Sequence, residues 1–332
     1  MKRFFLSLLL LTLVACGGRD KKAFVTSHTY ERDTRISYPF VSGDLFRHIS
    51  DHIVDETHIP FSPKSVKGGE VVFVKAKYLD KFFKHMHPHI RERYVLVTGN
   101  GDEEVPGAFA KYLDDKKILM WFGMNATLSH PKLMPIPIGM NGNSGANCVK
   151  EKHALKLLAS PLEKERLLYM NVAVPNHCER AQALRHFQDT SFCFCDTRRP
   201  VEEFLEEVMR SKYTLCPRGN GIDTHRVWEA LFLGSIPVLK SNALDPLYEG
   251  LPVLIVKEWE EVTKELLESK YEEILAGKHK MEKLYADYWL KLIDIYSCGG
   301  HYDAAALQAI SSLIIVKSVE NFTNSCQMAK PK

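Results

Sequence analysis

The residue types best suited to chemistry are concentrated in one stretch, residues 211–240. Arg218, His225 and Arg226 stand close together there, and Gly219 and Gly221 lie between the first two. Glycine permits positive φ and a close approach of the backbone to a ligand. A glycine loop that leads into a helix presents unpaired N–H groups and the positive end of the helix dipole, and arginine suits bidentate contacts to phosphate. The stretch therefore predicts a phosphate-binding site formed by Arg218, Gly219, Asn220, Gly221, His225 and Arg226.

A carboxylate follows on the same helical face. Glu229 lies three residues after Arg226, so the two side chains project about one turn apart. A carboxylate beside a phosphate site is placed to accept hydrogen bonds from ribose hydroxyl groups; the alternative is a plain ion pair with Arg226. The loop fits neither the Walker A pattern nor the G-x-G-x-x-G pattern, which disfavours a P-loop NTPase and a dinucleotide-dependent dehydrogenase.

Proline, glycine and capping residues predict the local structure that carries these side chains. Pro217 lacks an N–H group and ends the strand 213–216. Asp223 or Thr224 is placed to cap the helix that follows, and Gly234 stands where a residue in the left-handed conformation ends it. The predicted order is strand, glycine loop, helix, turn and strand.

Three blocks in this stretch resemble the donor-binding half of exostosin-like glycosyltransferases. They are residues 211–219 (SKYTLCPRG), 226–230 (RVWEA) and 234–238 (GSIPV), and the resemblance covers roughly residues 200–260. It implies the GT-B architecture, in which two Rossmann-like lobes face each other across a cleft. In such enzymes the C-terminal lobe holds the nucleotide-sugar and the N-terminal lobe shapes the acceptor site.

The resemblance also implies an activity and residue roles. The activity is transfer of a hexosyl or pentosyl group from a nucleotide-sugar donor to a saccharide or glycoconjugate acceptor, and family members are generally inverting. Carried onto this chain, it implies that Arg218 and Arg226 contact the diphosphate or nucleotide, with Glu229 on the nucleotide ribose.

An inverting transfer needs a base, and the N-terminal half offers an acidic turn. Asp102, Glu103 and Glu104 follow the predicted strand 94–97 through the turn 99–101. Ligands of α/β folds bind at the C-terminal ends of strands, so Asp102 is the candidate catalytic base. The alternative for each of these carboxylates is a solvated surface turn.

The sequence predicts a reaction without a metal or other cofactor. No Asp-x-Asp triplet occurs in the chain, whereas the other main glycosyltransferase fold usually holds its metal with that motif. Arginine side chains and helix N–H groups would then stabilise the charge of the leaving group.

Alternation of apolar β-branched runs with helix-period stretches predicts an α/β fold with two Rossmann-like lobes. Two series of strand and helix patterns are separated by a glycine- and asparagine-rich segment and a charged helix. The predicted organisation is a signal or anchor segment at 1–22, an acceptor-side domain at 23–160, a nucleotide-sugar-binding domain at 161–317 and a flexible tail at 318–332.

Length and composition agree with two folded domains. The chain has 332 residues, of which 45% are hydrophobic and 26% charged, and this excludes disorder or a coiled coil over the whole chain. The net charge of +3 is too small to indicate nucleic acid as a partner.

The start of the chain predicts membrane association. Lys2 and Arg3 precede the apolar run 4–15, which is shorter than the ~20 residues that span a bilayer. Residues 13–16 (LVAC) also resemble a bacterial lipobox, whose cysteine, here Cys16, becomes lipidated. The alternatives are an ordinary cleaved signal, a short anchor, or an uncleaved segment that holds a cytosol-facing enzyme. The chain is therefore expected to be a lipid-anchored envelope protein or a protein of the Golgi or secretory lumen.

The signal segment also motivates a rival function. Nucleotide-sugars are made in the cytosol, so an envelope lipoprotein would face a compartment without them. The rival is a non-catalytic, membrane-anchored, two-lobed protein that binds a sugar or an anion. Two N-glycosylation sequons, at Asn125 and Asn321, would matter in a eukaryotic secretory pathway.

Overall fold

The computed structural model describes residues 38–57, 61–141, 151–197 and 199–297. Its strands form two sheets of five strands each, and every strand pairing inside them is parallel. The two-lobed α/β arrangement expected from the sequence is therefore present. The predicted segments 1–22 and 318–332, with Cys16 and Asn321, lie outside the described residues.

The strands of the first sheet are β1 (His52–Val54), β2 (Val71–Lys75), β3 (Tyr94–Gly99), β4 (Ile118–Gly123) and β5 (Leu133–Pro135). They lie side by side in chain order, β1-β2-β3-β4-β5. All six residues of β3 are buried, as expected for a central parallel strand covered on both faces.

Helices α1 (Gly43–His48) and α2 (Leu79–His85) accompany the first sheet. The sequence pattern predicts a helix over 43–56, but the helix ends at His48 and the chain continues as β1, where Ile53 pairs with Phe73. Pairing with a buried strand overrides the helical period there, since β propensity depends on context. Short 3-10 helices occupy Pro63–Ser65, Ala76–Tyr78, His87–His89 and Gly107–Asp114.

The strands of the second sheet are β6 (Arg166–Asn171), β7 (Cys193–Asp196), β8 (Ser211–Leu215), β9 (Ile236–Lys240) and β10 (Leu254–Val256). Their order is β10-β9-β8-β6-β7, so β6 lies between β7 and β8. The chain leaves β6 toward one side to form β7 and then crosses to the other side to form β8. Such a reversal is the topological switch point at which doubly wound folds bind ligands.

Most of the remaining helices belong to the second half of the chain. They are α3 (Glu151–Ala159), α4 (Cys178–Phe187), α5 (Val201–Met209), α6 (His225–Phe232), α7 (Asp245–Tyr248), α8 (Lys264–Leu275) and α9 (Ala286–Ser297), with 3-10 turns at Val174–Asn176, Trp259–Glu261 and Met281–Leu284. The sequence pattern predicts helices over 200–212, 258–275 and 280–296. The first is shorter in the structure, and each of the other two begins with a separate 3-10 turn.

The last helix crosses back to the first lobe. The ring of Trp289 on α9 lies 6.3 Å from that of Phe46 on α1, and Tyr296 lies 5.7 Å from Phe122 on β4. The range 161–317 predicted from the sequence assigns this helix to the C-terminal lobe, whereas these contacts are with the N-terminal one. Within 38–57, 61–141, 151–197 and 199–297, no helix has the length and apolar character needed to cross a bilayer.

Candidate functional site

A cleft of about 870 Å³ lies where the two lobes meet, within the range usual for small-molecule sites. Asn171 at the end of β6 and the loop that follows β8 line one side, so the cleft opens at the switch point of the second sheet. Asp102, Ile138 and Asn141 line it from the first lobe. All the residues predicted for the site line this cleft except Arg218; they are Asp102, Gly219, Asn220, Gly221, His225, Arg226 and Glu229.

The donor loop, defined here as residues 219–223, follows β8 and leads into α6. The positive φ expected at Gly219 and Gly221 is absent: positive φ among the described glycines occurs at Gly69, Gly107, Gly139, Gly234 and Gly250. Lack of a side chain matters for another reason. A Cβ at Gly219 would lie 3.0 Å from Nη2 of Arg180, and one at Gly221 would lie 3.0 Å from Nδ2 of Asn125. The glycines therefore make room for two protein side chains.

The start of α6 is organised by a buried carboxylate. Thr224 occupies the N-cap position, but its side chain makes no capping hydrogen bond. Asp223 instead accepts hydrogen bonds from Thr224 N, Trp228 Nε1 and Tyr248 OH, and its Oδ2 accepts a fourth from Ile138 N of the facing lobe at 2.8 Å. Burial raises the pKa of Asp223 to about 6, and these hydrogen bonds oppose the rise. Asp223 thus joins the helix start to the first lobe.

The end of α6 agrees with the sequence. Gly234 has φ +67°, the left-handed conformation expected of a residue that ends a helix. Its neighbour Ser235 donates its N–H to the carbonyl oxygen of Ala230 at 2.9 Å, which satisfies one of the last carbonyl groups.

Glu229 is the most unusual carboxylate of the cleft. Only 5% of the residue is exposed, and burial raises its pKa to about 7, an effect that Arg226 partly opposes. No salt bridge joins Glu229 to Arg226 among the described residues, so the charge of Arg226 acts on Glu229 without a direct ion pair. Within the same part of the chain no side chain hydrogen-bonds the carboxylate of Glu229. A buried carboxylate without a partner is costly unless it is protonated or bound by a ligand.

The two predicted arginines occupy different places. Arg226 lines the cleft, its Nε is buried without a hydrogen-bond partner, and its guanidinium lies 5.5 Å from the ring centre of Phe204. Arg218 is at the rim, where Nη2 lies 3.5 Å from a carboxylate oxygen of Glu104 across the cleft and donates to the carbonyl oxygen of Asn220 at 3.2 Å. Of the two predicted arginines, Arg226 is therefore the one that lines the cleft, together with Arg180 and Arg199.

Sequence reasoning missed a second pair of charged residues, on the first turn of α4. Arg180 is 7% exposed; its Nε donates to the carbonyl oxygen of Arg218 at 2.9 Å and its Nη1 to that of Ala173 at 3.3 Å. Glu179 accepts a hydrogen bond from the N–H of Arg218 at 3.1 Å. Burial, and then the charge of Arg226, lower the pKa of Arg180 to about 10. The only available signal was the position of this pair just after β6.

His225, the first residue of α6, lines the cleft and bonds the opposite lobe through the carbonyl oxygen of Gly139. Burial lowers its pKa, while the Gly139 carbonyl and the carboxylates of Asp44 and Asp102 oppose that shift. Burial therefore favours the neutral form of this ring at the start of α6.

Asp102 lines the cleft from the first lobe and is exposed. It follows Asn100, which has φ +52° and whose side chain donates to Asp44 at 2.8 Å. The turn thus has a defined shape and carries a solvated carboxylate into the cleft. Glu103 and Glu104 are exposed beside it.

Asn125 does not behave as a glycosylation acceptor. It is 2% exposed, and its side-chain amide is bonded to the donor loop and to Gly101. A glycan on this nitrogen is incompatible with the folded arrangement. Across the described ranges no group of three or more His, Cys, Asp and Glu side chains has the arrangement of a metal site.

The family model that matches the chain covers most of the second lobe. Residues 170–292 match the family model described as RXYLT1 C-terminal domain, which spans the three blocks and confirms the resemblance to exostosin-like glycosyltransferases in this part of the chain. No curated protein matches the chain.

Solved structures with a similar arrangement include an alpha1,3-fucosyltransferase, with a TM-score of 0.42 and 13% identity over 71% of this chain and 79% of that one. The pneumococcal O-GlcNAc transferase GtfA, solved with UDP and GlcNAc, gives a TM-score of 0.33 and 9% identity over 78% of this chain and 57% of that one. A GtfA/B complex gives a TM-score of 0.33 and 8% identity over 78% of this chain and 58% of that one.

Proposed function

From the premise that residues 170–292 form a domain of the RXYLT1 C-terminal type, we propose that the protein is a glycosyltransferase. It transfers a hexosyl or pentosyl group from a nucleotide-sugar to a saccharide or glycoconjugate acceptor. One observation carries the proposal beyond the family match. Among the described residues the buried carboxylate of Glu229 has no hydrogen-bond or ion-pair partner, and it lines a cleft that also contains the Nε of Arg226, which has no hydrogen-bond partner there. A ligand that offers both hydroxyl donors and negative charge satisfies both groups, and a nucleoside diphosphate has both.

The proposed donor site follows from where the charges lie. Arg226, the start of α6 and His225 surround the position for the diphosphate, with Arg180 close behind the donor loop. Glu229 accepts hydrogen bonds from the ribose hydroxyl groups. Arg218 bonds the phosphates from the rim, exchanging its contact with Glu104 for the ligand.

The proposed reaction is an inverting displacement. Asp102 takes the proton of the acceptor hydroxyl as that oxygen forms its bond to the anomeric carbon. The bond between the anomeric carbon and the diphosphate oxygen breaks, and the nucleoside diphosphate leaves with the electron pair. Arg226, Arg218 and the N–H groups at the start of α6 stabilise the charge that develops on the leaving group. Transfer on this route requires no metal ion or other cofactor.

Attachment to a membrane is part of the same proposal. The segment 1–22 attaches the protein through a lipidated Cys16 or through a short anchor, on the bacterial envelope or in the lumen of the Golgi or secretory pathway. Replacement of Cys16 by Ser, followed by fractionation and lipid labelling, distinguishes the two attachments. The acceptor-side domain 23–160 and the donor-side domain 161–317 then act outside the bilayer.

Titration calorimetry with UDP and with GDP tests the proposal. Wild type is expected to bind at least one of them, and Arg226→Ala and Glu229→Ala are expected to weaken binding about ten-fold or more. Arg210→Ala is the matched control, since Arg210 pairs with Glu165 outside the cleft. Wild type that binds neither nucleotide but binds free sugar would support the non-catalytic lipoprotein instead, which the family match does not favour.

A further inference from the structure

Asn125 of the first lobe lies in direct contact with the second lobe. It follows β4 in the first lobe, has φ +52° and is 2% exposed. Its backbone carbonyl accepts a hydrogen bond from Val105 N at 3.0 Å, which ties it to the segment after the acidic turn. A non-glycine residue in the left-handed conformation is uncommon, and asparagine is one of the residues that tolerate it.

The side chain of Asn125 bonds the other lobe. Its Oδ1 accepts hydrogen bonds from the backbone N–H groups of Ile222 and Asp223, both at 3.0 Å. Both N–H groups belong to the donor loop and are buried. They precede Thr224, the N-cap residue of α6, and in the described part of the second lobe no backbone carbonyl accepts a hydrogen bond from them. The donor loop therefore takes its hydrogen-bond acceptor from the first lobe.

The same amide also reaches the acidic turn. Nδ2 of Asn125 donates to the carbonyl oxygen of Gly101 at 3.3 Å, and Gly101 immediately precedes Asp102. Gly221 packs directly against this amide, since a Cβ there would lie 3.0 Å from Nδ2. One side chain thus bridges the donor loop and the turn that carries the candidate base.

We propose that Asn125 is a positioning residue that holds the donor loop in its binding shape and sets its distance from the Asp102 turn. The affinity of the second lobe for a nucleoside diphosphate then depends on a side chain of the first. The inference rests on the proposed function for its ligand, but the structural coupling can be measured without any ligand.

The test uses Asn125→Gly, because glycine adopts φ +52° without strain and the substitution removes the side chain with its amide. Tyr94→Phe is the matched control: it removes one buried hydrogen bond, to His87, within the same lobe. Hydrogen exchange of the segment 216–224 is measured in the full chain for each variant, and UDP and GDP affinities are measured by calorimetry. We expect Asn125→Gly to lose protection in 216–224 and to bind nucleotide about ten- to a hundred-fold more weakly. Tyr94→Phe leaves both unchanged.

A second variant separates the two bonds of the amide. Asn125→Asp keeps an oxygen acceptor for Ile222 and Asp223 but cannot donate to Gly101. In Asn125→Asp the segment 216–224 should stay protected from hydrogen exchange, while exchange of the segment 99–104 should become faster. This variant also tests the proposal if the glycine variant does not fold. Exchange of 216–224 in Asn125→Gly that matches Tyr94→Phe overturns the positioning role. Wild type that binds no nucleotide refutes the proposed function instead, and the exchange result still decides the role of Asn125.

Discussion

The Nδ1 atom of His225 lies 2.7 Å from the carbonyl oxygen of Gly139. A carbonyl oxygen only accepts, so Nδ1 carries the proton and the neutral ring keeps Nε2 as an acceptor. Because Gly139 belongs to the first lobe and His225 begins α6, this bond fixes both the tautomer and the position of the helix start. The position of a side chain that lines the cleft therefore depends on both lobes.

Two substitutions separate the nitrogens of His225. The amide nitrogen of Asn can replace Nδ1–H, so His225→Asn should keep the bond to Gly139 and lose only Nε2. His225→Gln places its amide near Nε2 and loses the bond to Gly139. We expect the free energy of unfolding of the Asn variant, measured with urea, to lie within about 0.5 kcal/mol of the wild-type value. The Gln variant should be less stable than wild type by about 1 kcal/mol. Equal stability of the two variants would contradict the assigned tautomer.

Replacing Glu229 should change how stability depends on pH. Its pKa is raised from 4.5 to about 7 in the folded protein, so between these values the native state binds more protons than the unfolded state. Unfolding free energy is therefore lost as the pH rises through this window. Glu229→Gln lacks this titration. The free energy of unfolding of the variant, relative to that of wild type, should therefore rise by at most about 3 kcal/mol between about pH 4.5 and pH 7 and then stay constant.

Urea unfolding at several pH values measures this difference. Glu273→Gln is the control, since Glu273 is exposed on α8 and pairs with Lys270 at the surface. A constant difference between Glu229→Gln and wild type at all pH values would show that Glu229 is not a desolvated carboxylate.

Asp102→Asn should abolish transfer without weakening donor binding. The amide cannot take the acceptor proton, so release of nucleoside diphosphate in the presence of acceptor should fall by about 10²–10⁴-fold. The calorimetric affinity for the nucleotide should remain within about two-fold. Glu103→Gln, in the neighbouring exposed position, is the control, and loss of activity there but not in Asp102→Asn would reassign the base.

Arg180 should support the donor site from below the loop. Arg180→Ala removes the hydrogen bonds to the carbonyl oxygens of Arg218 and Ala173, and also a buried positive charge. We expect about a ten-fold loss of nucleoside diphosphate affinity, with only partial recovery in Arg180→Lys, since lysine lacks the planar fork of donors. Arg185→Ala, exposed on the same helix, is the control. Equal affinities for Arg180→Ala and Arg185→Ala would remove Arg180 from the site.

Turnover should be undiminished in EDTA. Arginine side chains and helix N–H groups take the charge of the leaving group in the proposed reaction, so chelation should change the rate by less than about two-fold. The assay is release of nucleoside diphosphate from a panel of nucleotide-sugars with acceptor present. Loss of activity in EDTA that only Mn²⁺ restores would refute the metal-independent route.

Features that depend on neighbouring residues could be read from the sequence. Pro217 follows a strand that ends at Leu215, Gly234 has the left-handed conformation at the end of α6, and Arg226 and Glu229 both line the cleft. The proline ring, the chirality of L-residues and the 3.6-residue helical period each act over only a few residues. Their effects can therefore be predicted from the local sequence. The two series of strands followed from the same local patterns.

Other features required the three-dimensional arrangement. The sequence predicts a ligand role for Gly219 and Gly221, whereas the structure fills their space with Arg180 and Asn125. Asn125 is 97 residues from Ile222 in the chain, and no local pattern indicates that contact. The helix predicted over 43–56 was also too long, because pairing of β1 with β2 is a long-range interaction.

The sequence alone therefore determined the βα series, the donor motif and the helix that carries it, because these depend on local backbone preferences. Only the tertiary structure decided that Glu229 is buried, that no described residue forms an ion pair with Arg226 and that the first lobe supplies a hydrogen-bond acceptor to the donor loop. Burial and electrostatic partners depend on which distant segments pack together, and parallel strand order brings segments together across long stretches of chain.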